Sequence, residues 1–186
     1  MILPIVAFGD PVLRKETDEI DEDYPKLKEL IENMFKTMEN APGVGLAAPQ
    51  IGLSIRLFVI DTTSIYEEEK GKEDHGVRKA FINPIMIDEW GKKWDFEEGC
   101  LSIPGIREKV NRQADIKIEY YDEDFNLKEE TFSDMNARVI QHEYDHIEGV
   151  LFTDYLSGLK KRRLQRKLRN ISKGNIHTNY KMRFPL

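Results

Sequence analysis

The chain has 186 residues, of which 40% are hydrophobic and 33% charged, and its formal net charge is −6. These values are typical of a single folded domain, and the acidic balance argues against general nucleic-acid binding. The one cysteine excludes an intrachain disulfide and favours a reducing compartment. The apolar start lacks basic residues and is interrupted by Pro4, so it does not read as a signal peptide, and no apolar run is long enough to cross a membrane. We therefore expect a cytoplasmic protein with no membrane segment.

The first half of the chain predicts a long helix, a glycine-rich segment and a buried strand. Apolar residues recur at helical spacing over 24–39, and they form one core-facing stripe. The members of this stripe are Leu27, Leu30, Ile31, Met34, Phe35 and Met38. A glycine-rich segment follows, and residues 55–61 are apolar enough for a strand inside a sheet. The charged residues 62–79 predict a mobile surface loop.

The second half predicts a series of strands followed by two helices. Five short strands are expected at residues 80–89, 94–96, 107–111, 116–121 and 127–132. In the fourth of them Ile116, Ile118 and Tyr120 alternate with polar or less apolar residues, which predicts one buried face. A helix containing residues 141–146 comes next, and a basic helix is predicted over 157–172.

Together these elements predict an α+β domain over residues 1–172. Its mostly antiparallel strands pack around a central metal-binding helix, with further helices near the N-terminus and the C-terminus. Residues 173–186 are expected to form a weakly ordered tail. The basic helix either packs with a solvated basic face or contacts an anionic partner such as ribosomal RNA, and the sequence leaves both interpretations open.

The central helix carries the pattern His-Glu-x-x-His. His142 and His146 are four residues apart, so on a helix both imidazoles project from one face and can hold a single metal ion. Glu143 lies where its carboxylate can reach a water molecule beside that metal. The pattern is short, and two histidines on a solvated helix face are the plain alternative.

A hydrolytic metal site has three protein ligands and one open position, so a third ligand must come from another element. Cys100 is the strongest candidate. A lone cytosolic cysteine is more often a small buried hydrophobe. Here Gly99 precedes it and allows close backbone approach, and residues 101–105 interrupt regular structure directly after it.

Three stretches together resemble the signatures of the peptide deformylase family. They are GVGLAAPQ at residues 43–50, EGCLS at 98–102 and QHEYDH at 141–146. They occur in the order found in that family and at compatible spacing, and the similarity extends to about residue 167. The resemblance implies a metal-dependent hydrolase that removes the N-formyl group from the N-terminal formylmethionine of newly synthesised proteins and releases formate.

The resemblance also implies a role for each site residue. Cys100, as a thiolate, and neutral His142 and His146 hold the metal, and the fourth position takes water. Glu143 accepts a proton from that water and returns it to the departing amine. The side-chain amide of Gln50 and the backbone N–H of Leu101 stabilise the negative charge on the formyl oxygen.

Substrate contacts are expected from a further group of residues around the metal. Glycines on either side of Val44 let an extended peptide lie against the main chain as an added strand. The expected substrate-binding residues are Gly43, Val44, Gly45, Glu98, Gly99, Arg107, Met135 and Val139. Arg138 is predicted at the pocket rim. Glu98 and Asp145 are also candidates to accept hydrogen bonds from metal ligands, although Asp145 fits a surface or capping role equally well.

The sequence leaves the metal open. Cysteine and histidine ligands favour zinc on coordination grounds, whereas the family resemblance implies one divalent ion that is Fe²⁺ in the cell, with Zn²⁺ or Ni²⁺ in isolated protein. The expected partners are the N-formylmethionyl peptides of nascent chains, with a ribosome contact through the basic helix.

Two other functions fit the central motif alone. One is a zinc metallopeptidase, which would take a third histidine or glutamate ligand from farther along the chain. The other is a metal-stabilised binding protein without catalysis, which would need neither Glu143 nor Gln50. Replacing Cys100 by serine discriminates the first of these from a deformylase.

Overall fold

The protein is described by a computed structural model that covers residues 1–67 and 69–185. Its α-helices are α1 (Leu27–Asn40), α2 (Thr63–Tyr66), α3 (Asp134–Ile147) and α4 (Gly158–Ser172). Its strands are β1 (Ile5–Val6), β2 (Gly45–Ala47), β3 (Leu57–Asp61), β4 (Arg78–Trp90), β5 (Trp94–Cys100), β6 (Ile103–Arg112), β7 (Asp115–Tyr121), β8 (Leu127–Ser133) and β9 (Met182–Arg183). The predicted α+β fold is therefore confirmed. Within these ranges, no helix has the length and apolar character that crossing a membrane requires.

The strands form one larger sheet and two small pairs. Five strands lie in the order β2-β3-β4-β7-β8, and every neighbouring pair is antiparallel. Strands β5 and β6 form a separate antiparallel hairpin, and β1 pairs with β9 in parallel. On β7 the predicted alternation is observed, because Ile116, Ile118 and Tyr120 are buried while the residues between them are partly exposed. One face of the large sheet is therefore apolar along this strand, and a helix can pack against it.

Helix α1 covers part of the core through the predicted apolar stripe. Leu27, Ile31, Met34, Phe35 and Met38 are buried and pack with residues of β2, β3 and β4. Burying a side chain of this size stabilises a fold by roughly 1.5–3 kcal/mol. The helix is therefore anchored along its whole length beside the segment that leads into β2.

Helix α3 is the element around which the site is built. Its Ala137, Ile140 and Ile147 are buried in a cluster with the aromatic residues of the large sheet. The helix ends before Gly149, whose φ of +72° is a left-handed conformation that glycine adopts without strain. Packing on one side of α3 leaves its histidine face directed toward the β5–β6 hairpin.

Two segments differ from the prediction. The predicted surface loop at 62–79 contains α2, the turn Glu73–His75 and the start of β4, and its residue 68 lies outside the described residues. The expected weakly ordered tail contains β9, and Met182 and Phe184 pack against the core cluster that contains Ile103. Backbone pairing between distant segments produces this arrangement, and hydrophobic periodicity within the tail carries no signal for it. Residue 186 also lies outside the described residues.

Candidate active site

Helix α3 places the two histidines and the glutamate at the inner end of a cleft. The ring centroids of His142 and His146 are 5.1 Å apart, as expected for residues four apart on one helix face. Glu143 and His146 are 4% and 1% exposed. Burial lowers the pKa of His146 well below its ordinary value, so its imidazole is neutral, which is the form that binds a metal.

A break in the β5–β6 hairpin brings Cys100 to these histidines. Gly99 pairs with Arg107, but Cys100 pairs with Ile103, so the register shifts between Gly99 and Cys100. Such a bulge redirects the side chains beside it. The Sγ atom of Cys100 consequently lies 3.3 Å from Nε2 of His146. One ligand atom from each of Cys100, His142 and His146 lies within 4.8 Å of the others.

The three residues fit a divalent metal ion in their chemistry as well as their spacing. One thiol sulfur and two imidazole nitrogens form a donor set typical of zinc and of other first-row transition metals. Among the described residues, the buried Oε2 of Glu143 has no hydrogen-bond partner. A buried polar atom without a partner is costly, and a water molecule beside a metal would satisfy it.

Glu98 orients one of the histidines through a buried ion-pair network. Its carboxylate lies 3.0 Å from Nδ1 of His142, which leaves Nε2 of that ring for a metal. Arg112 donates two hydrogen bonds to Glu98, at 2.7 and 3.0 Å, and a third to Asp145 at 2.8 Å. Burial opposes ionisation of Glu98, but the hydrogen bonds from His142 and Arg112 outweigh it and hold its pKa below the ordinary value. Glu98 therefore acts on His142 as a charged acceptor.

The positions of Arg138 and Asp145 also follow from this network. Arg138 is among the residues that line the cleft, but it is only 2% exposed, and its guanidinium donates to Glu98 and to the backbone carbonyl of Trp94. Its charge is therefore directed toward the buried carboxylate of Glu98. Asp145 accepts hydrogen bonds from Arg112 and Tyr155, so it supports the network through the arginine.

Gln50 and Gly45 complete the wall opposite α3. The Oε1 atom of Gln50 accepts a hydrogen bond from the backbone N–H of Ala47 at 2.9 Å, which fixes the side-chain amide. Its Nε2 then faces the Sγ of Cys100 at 3.4 Å and the hydroxyl of Ser102 at 3.3 Å. Gly45 lies so close to Glu143 that a Cβ atom there would come 2.3 Å from its carboxylate. Any larger residue at this position of β2 would therefore displace the side chain of Glu143.

A cleft of about 630 Å³ opens onto these residues. Every predicted substrate-binding residue lines it, namely Gly43, Val44, Gly45, Glu98, Gly99, Arg107, Met135 and Val139. Gln50, Cys100, Leu101, His142 and Glu143 line it too, whereas His146 lies behind it. Among the apolar or aromatic lining residues that the sequence analysis missed are Ile65, Phe96, Ile106 and Tyr180. They come from separate segments, so no local pattern identifies them.

A cysteine–histidine–histidine group beside a buried glutamate, at the end of an apolar cleft, is the arrangement of a metal-dependent hydrolase. The model of the polypeptide deformylase family matches residues 2–162. The chain belongs to this family.

Individual relatives agree with the family match over the full length. The peptide deformylase of Christiangramia forsetii is 60% identical over 100% of this chain and 97% of its own, and that of Flavobacterium johnsoniae is 57% identical over 99% and 96%. The crystal structure of the peptide deformylase of Legionella pneumophila superposes with a TM-score of 0.80 at 38% identity, covering 94% of this chain and 98% of its own. Peptide deformylase 1B of Arabidopsis thaliana, solved with an inhibitor, has a TM-score of 0.81 at 35% identity, with 93% and 92% covered.

Family membership determines the reaction. The protein is a metal-dependent hydrolase that removes the formyl group from the N-terminal formylmethionine of nascent polypeptides and releases formate. The interpretations as a metallopeptidase or as a binding protein without catalysis are not supported by these matches.

Proposed function

We propose that Cys100, His142 and His146 hold the metal and that Glu143 carries out the proton transfers of deformylation. The observation that supports this most directly is the meeting of the three ligand atoms within 4.8 Å of one another, beside a buried carboxylate oxygen with no partner among the described residues. When bound, the metal supplies Lewis-acid chemistry, polarising a carbonyl group and making a water molecule acidic near neutral pH.

The side chain of Glu143 suits a general base that later acts as a general acid. Burial raises its pKa to about 7, with the negative charges of Glu98 and Asp145 adding to the shift and His142 opposing it. A carboxyl group with a pKa near the working pH can take a proton from water and then give it to the departing amine. Positioned groups of this kind contribute about 10²–10⁴ to the rate.

Two donors stabilise the negative charge that develops on the formyl oxygen. One is Nε2 of Gln50, whose position is set by the hydrogen bond that Oε1 accepts from Ala47. The other is the backbone N–H of Leu101, in the turn that follows Cys100. Losing one donor of this type typically reduces the rate by about 10²–10³.

The substrate peptide binds along the cleft beside the edge of the large sheet. Strand β2 is an edge strand, so a peptide can pair with the 43–45 segment as a further strand. The methionine side chain enters the apolar wall formed by Val44, Met135 and Val139, all of which line the cleft. Arg107 reaches the peptide farther along, and its guanidinium is held by the carbonyl of Glu97 at 2.7 Å.

We assign Fe²⁺ as the metal in the cell, with Zn²⁺ or Ni²⁺ able to occupy the same ligands. The donor set is compatible with each of these ions. The free thiol of Cys100 and nascent chains as substrate support a location in the reducing cytoplasm. Metal analysis of protein purified from its native cells without exposure to oxygen tests the assignment, and zinc alone in active protein would contradict it.

A ribosome contact through α4 rests on its charge distribution. Leu164 and Ile171 bury one side of this helix, while its other side carries exposed basic residues. These are Lys161, Arg162, Arg163, Arg166, Lys167 and Arg169. Lys160 is instead paired with Glu108 at 3.0 Å. Co-sedimentation with ribosomes should weaken when Arg162, Arg163 and Arg166 are replaced by glutamate, and unchanged binding would refute the contact.

Formate release from formyl-Met-Ala-Ser, measured on anaerobically purified protein of known metal content, tests the assigned residues. Cys100→Ser should lose tight metal binding, because the soft sulfur ligand is replaced. Glu143→Ala should keep the metal and lose turnover. If Cys100→Ser kept the metal, or if Glu143→Ala kept its rate, the assignment of these two residues would fail. Gly158→Ala is a matched control, since a Cβ at that position meets nothing within 4 Å.

A further inference from the structure

The C-terminal segment reaches the active-site cleft, although it lies beyond the residues that the family model matches. The ring of Tyr180 forms part of the cleft wall. Its hydroxyl donates a hydrogen bond of 2.8 Å to the backbone carbonyl of Leu101, 79 residues away in the chain. A side chain from the end of the chain thus contacts the turn that follows the metal ligand Cys100.

Strand pairing holds Tyr180 in place. Next to it, the carbonyl of Lys181 accepts a hydrogen bond from the N–H of Ile5 at 2.9 Å, and the carbonyl of Arg183 accepts one from Ala7 at 2.8 Å. Strand β9 is therefore fixed against β1, and the side chains of Met182 and Phe184 pack into the core. Tyr180 approaches Leu101 from an anchored segment.

The turn that Tyr180 contacts is supported by hydrogen bonds from other parts of the chain. Because Cys100 pairs with Ile103, Leu101 and Ser102 project beyond the hairpin ladder. Two bonds from other elements support Ser102: the N–H of Phe8 donates to its carbonyl at 2.8 Å, and Gln50 donates to its hydroxyl at 3.3 Å. The hydrogen bond from Tyr180 supports the neighbouring residue Leu101 in the same way. The N–H of Leu101 lies in the rigid peptide plane that it shares with Cys100, whereas the carbonyl of Leu101 lies in the next plane. Because Cys100 is held in the hairpin ladder and the carbonyl of Leu101 is held by Tyr180, the orientation of the N–H between them is restricted from both sides.

We propose that Tyr180 is a positioning residue for deformylation: by fixing the carbonyl of Leu101 it restricts the backbone there, so that the N–H of Leu101 points at the formyl oxygen of the substrate. This inference rests on the proposed role of the Leu101 N–H. The hydroxyl acts through the carbonyl of Leu101, and its removal leaves the donor present but less well oriented. The loss should therefore be smaller than the roughly 10²–10³ of a missing donor, and we expect about tenfold.

The variant Tyr180→Phe removes only the hydroxyl and keeps the ring in the cleft wall. Formate release from formyl-Met-Ala-Ser is measured over a range of substrate concentrations, and kcat is expressed per bound metal ion. We expect kcat to fall about tenfold while KM stays within about twofold, because the affected interaction forms in the transition state. Metal content should match the wild type, and the melting temperature should fall by no more than about 2–4 °C, the effect of losing one hydrogen bond.

Three outcomes would overturn the inference: an unchanged kcat per bound metal, a raised KM with unchanged kcat, or a lower metal content with a wild-type kcat per metal ion that is still bound. Tyr121→Phe is the control, since Tyr121 packs against the same core cluster but does not line the cleft. Gln50→Ala and Glu143→Ala are assayed in parallel. If they lose turnover while Tyr180→Phe does not, only the inference about Tyr180 fails; if they keep it, the proposed roles fail first.

Discussion

The close approach of Gly45 to Glu143 gives the sharpest test of how the site is built. A Cβ atom at Gly45 would lie 2.3 Å from Oε1, 2.7 Å from Cδ and 2.8 Å from Cγ of Glu143. Non-bonded heavy atoms are most stable at about 3.5–4.0 Å, so in Gly45→Ala the carboxylate must retreat by about 1 Å. The backbone of Gly45 resists a compensating shift, because it is paired with Ile60 in the sheet.

A displacement of this size acts on proton transfer and leaves metal binding intact. Misplacing a reacting group by about 1 Å can reduce the rate about 10²-fold, so we expect kcat of Gly45→Ala to fall by at least that factor. The three atoms nearest to the added methyl group all belong to Glu143, so the metal content should stay at the wild-type level.

The assay is formate release, with metal content and thermal unfolding measured on the same sample. Gly158→Ala serves as the control, because its added Cβ meets nothing within 4 Å, and it should behave as the wild type. A Gly45→Ala enzyme that bound its metal and turned over at the normal rate would refute the argument that Glu143 must stay in its observed position. Loss of metal together with activity would instead show that the backbone had moved.

Two further predictions concern the buried charges. Arg112→Met removes the partner of Glu98 and of Asp145, which should destabilise the fold by about 3–5 kcal/mol in chemical denaturation. The same variant should weaken metal affinity about 10–100-fold, because Glu98, which orients His142, would no longer be held by Arg112. Wild-type stability together with wild-type metal affinity would contradict the role of the network. In metal-free protein, Glu143→Gln should stabilise the fold more near pH 8 than near pH 5, by at most about 3 kcal/mol. Burial raises the pKa of Glu143 from 4.5 in the unfolded chain to about 7 in the folded protein. The stability that depends on the neutral carboxyl group is therefore fully present below the unfolded pKa, and it is lost as the pH rises through the folded pKa. An equal effect of the substitution at both pH values would contradict this.

The sequence by itself determined the parts of the site that depend on local geometry. A helix brings residues four apart onto one face, so the pairing of His142 with His146 and the place of Glu143 follow from their spacing. The core stripe of α1 and the buried face of β7 follow in the same way from periods of about 3.6 and 2 residues. Three motifs in order were enough to indicate the family.

The three motifs also pointed to Cys100, Gln50 and Glu98, but only the tertiary structure shows how these distant residues meet. The approach of Cys100 to His146 depends on a register shift within the hairpin, and Gly45 faces Glu143 because β2 lies beneath α3. Arg112 looks like an ordinary charged strand residue until the carboxylates of Glu98 and Asp145 surround it. The physical reason is that a polar or aromatic side chain becomes buried where partners from remote segments meet it, and no periodic pattern within a single segment records those partners.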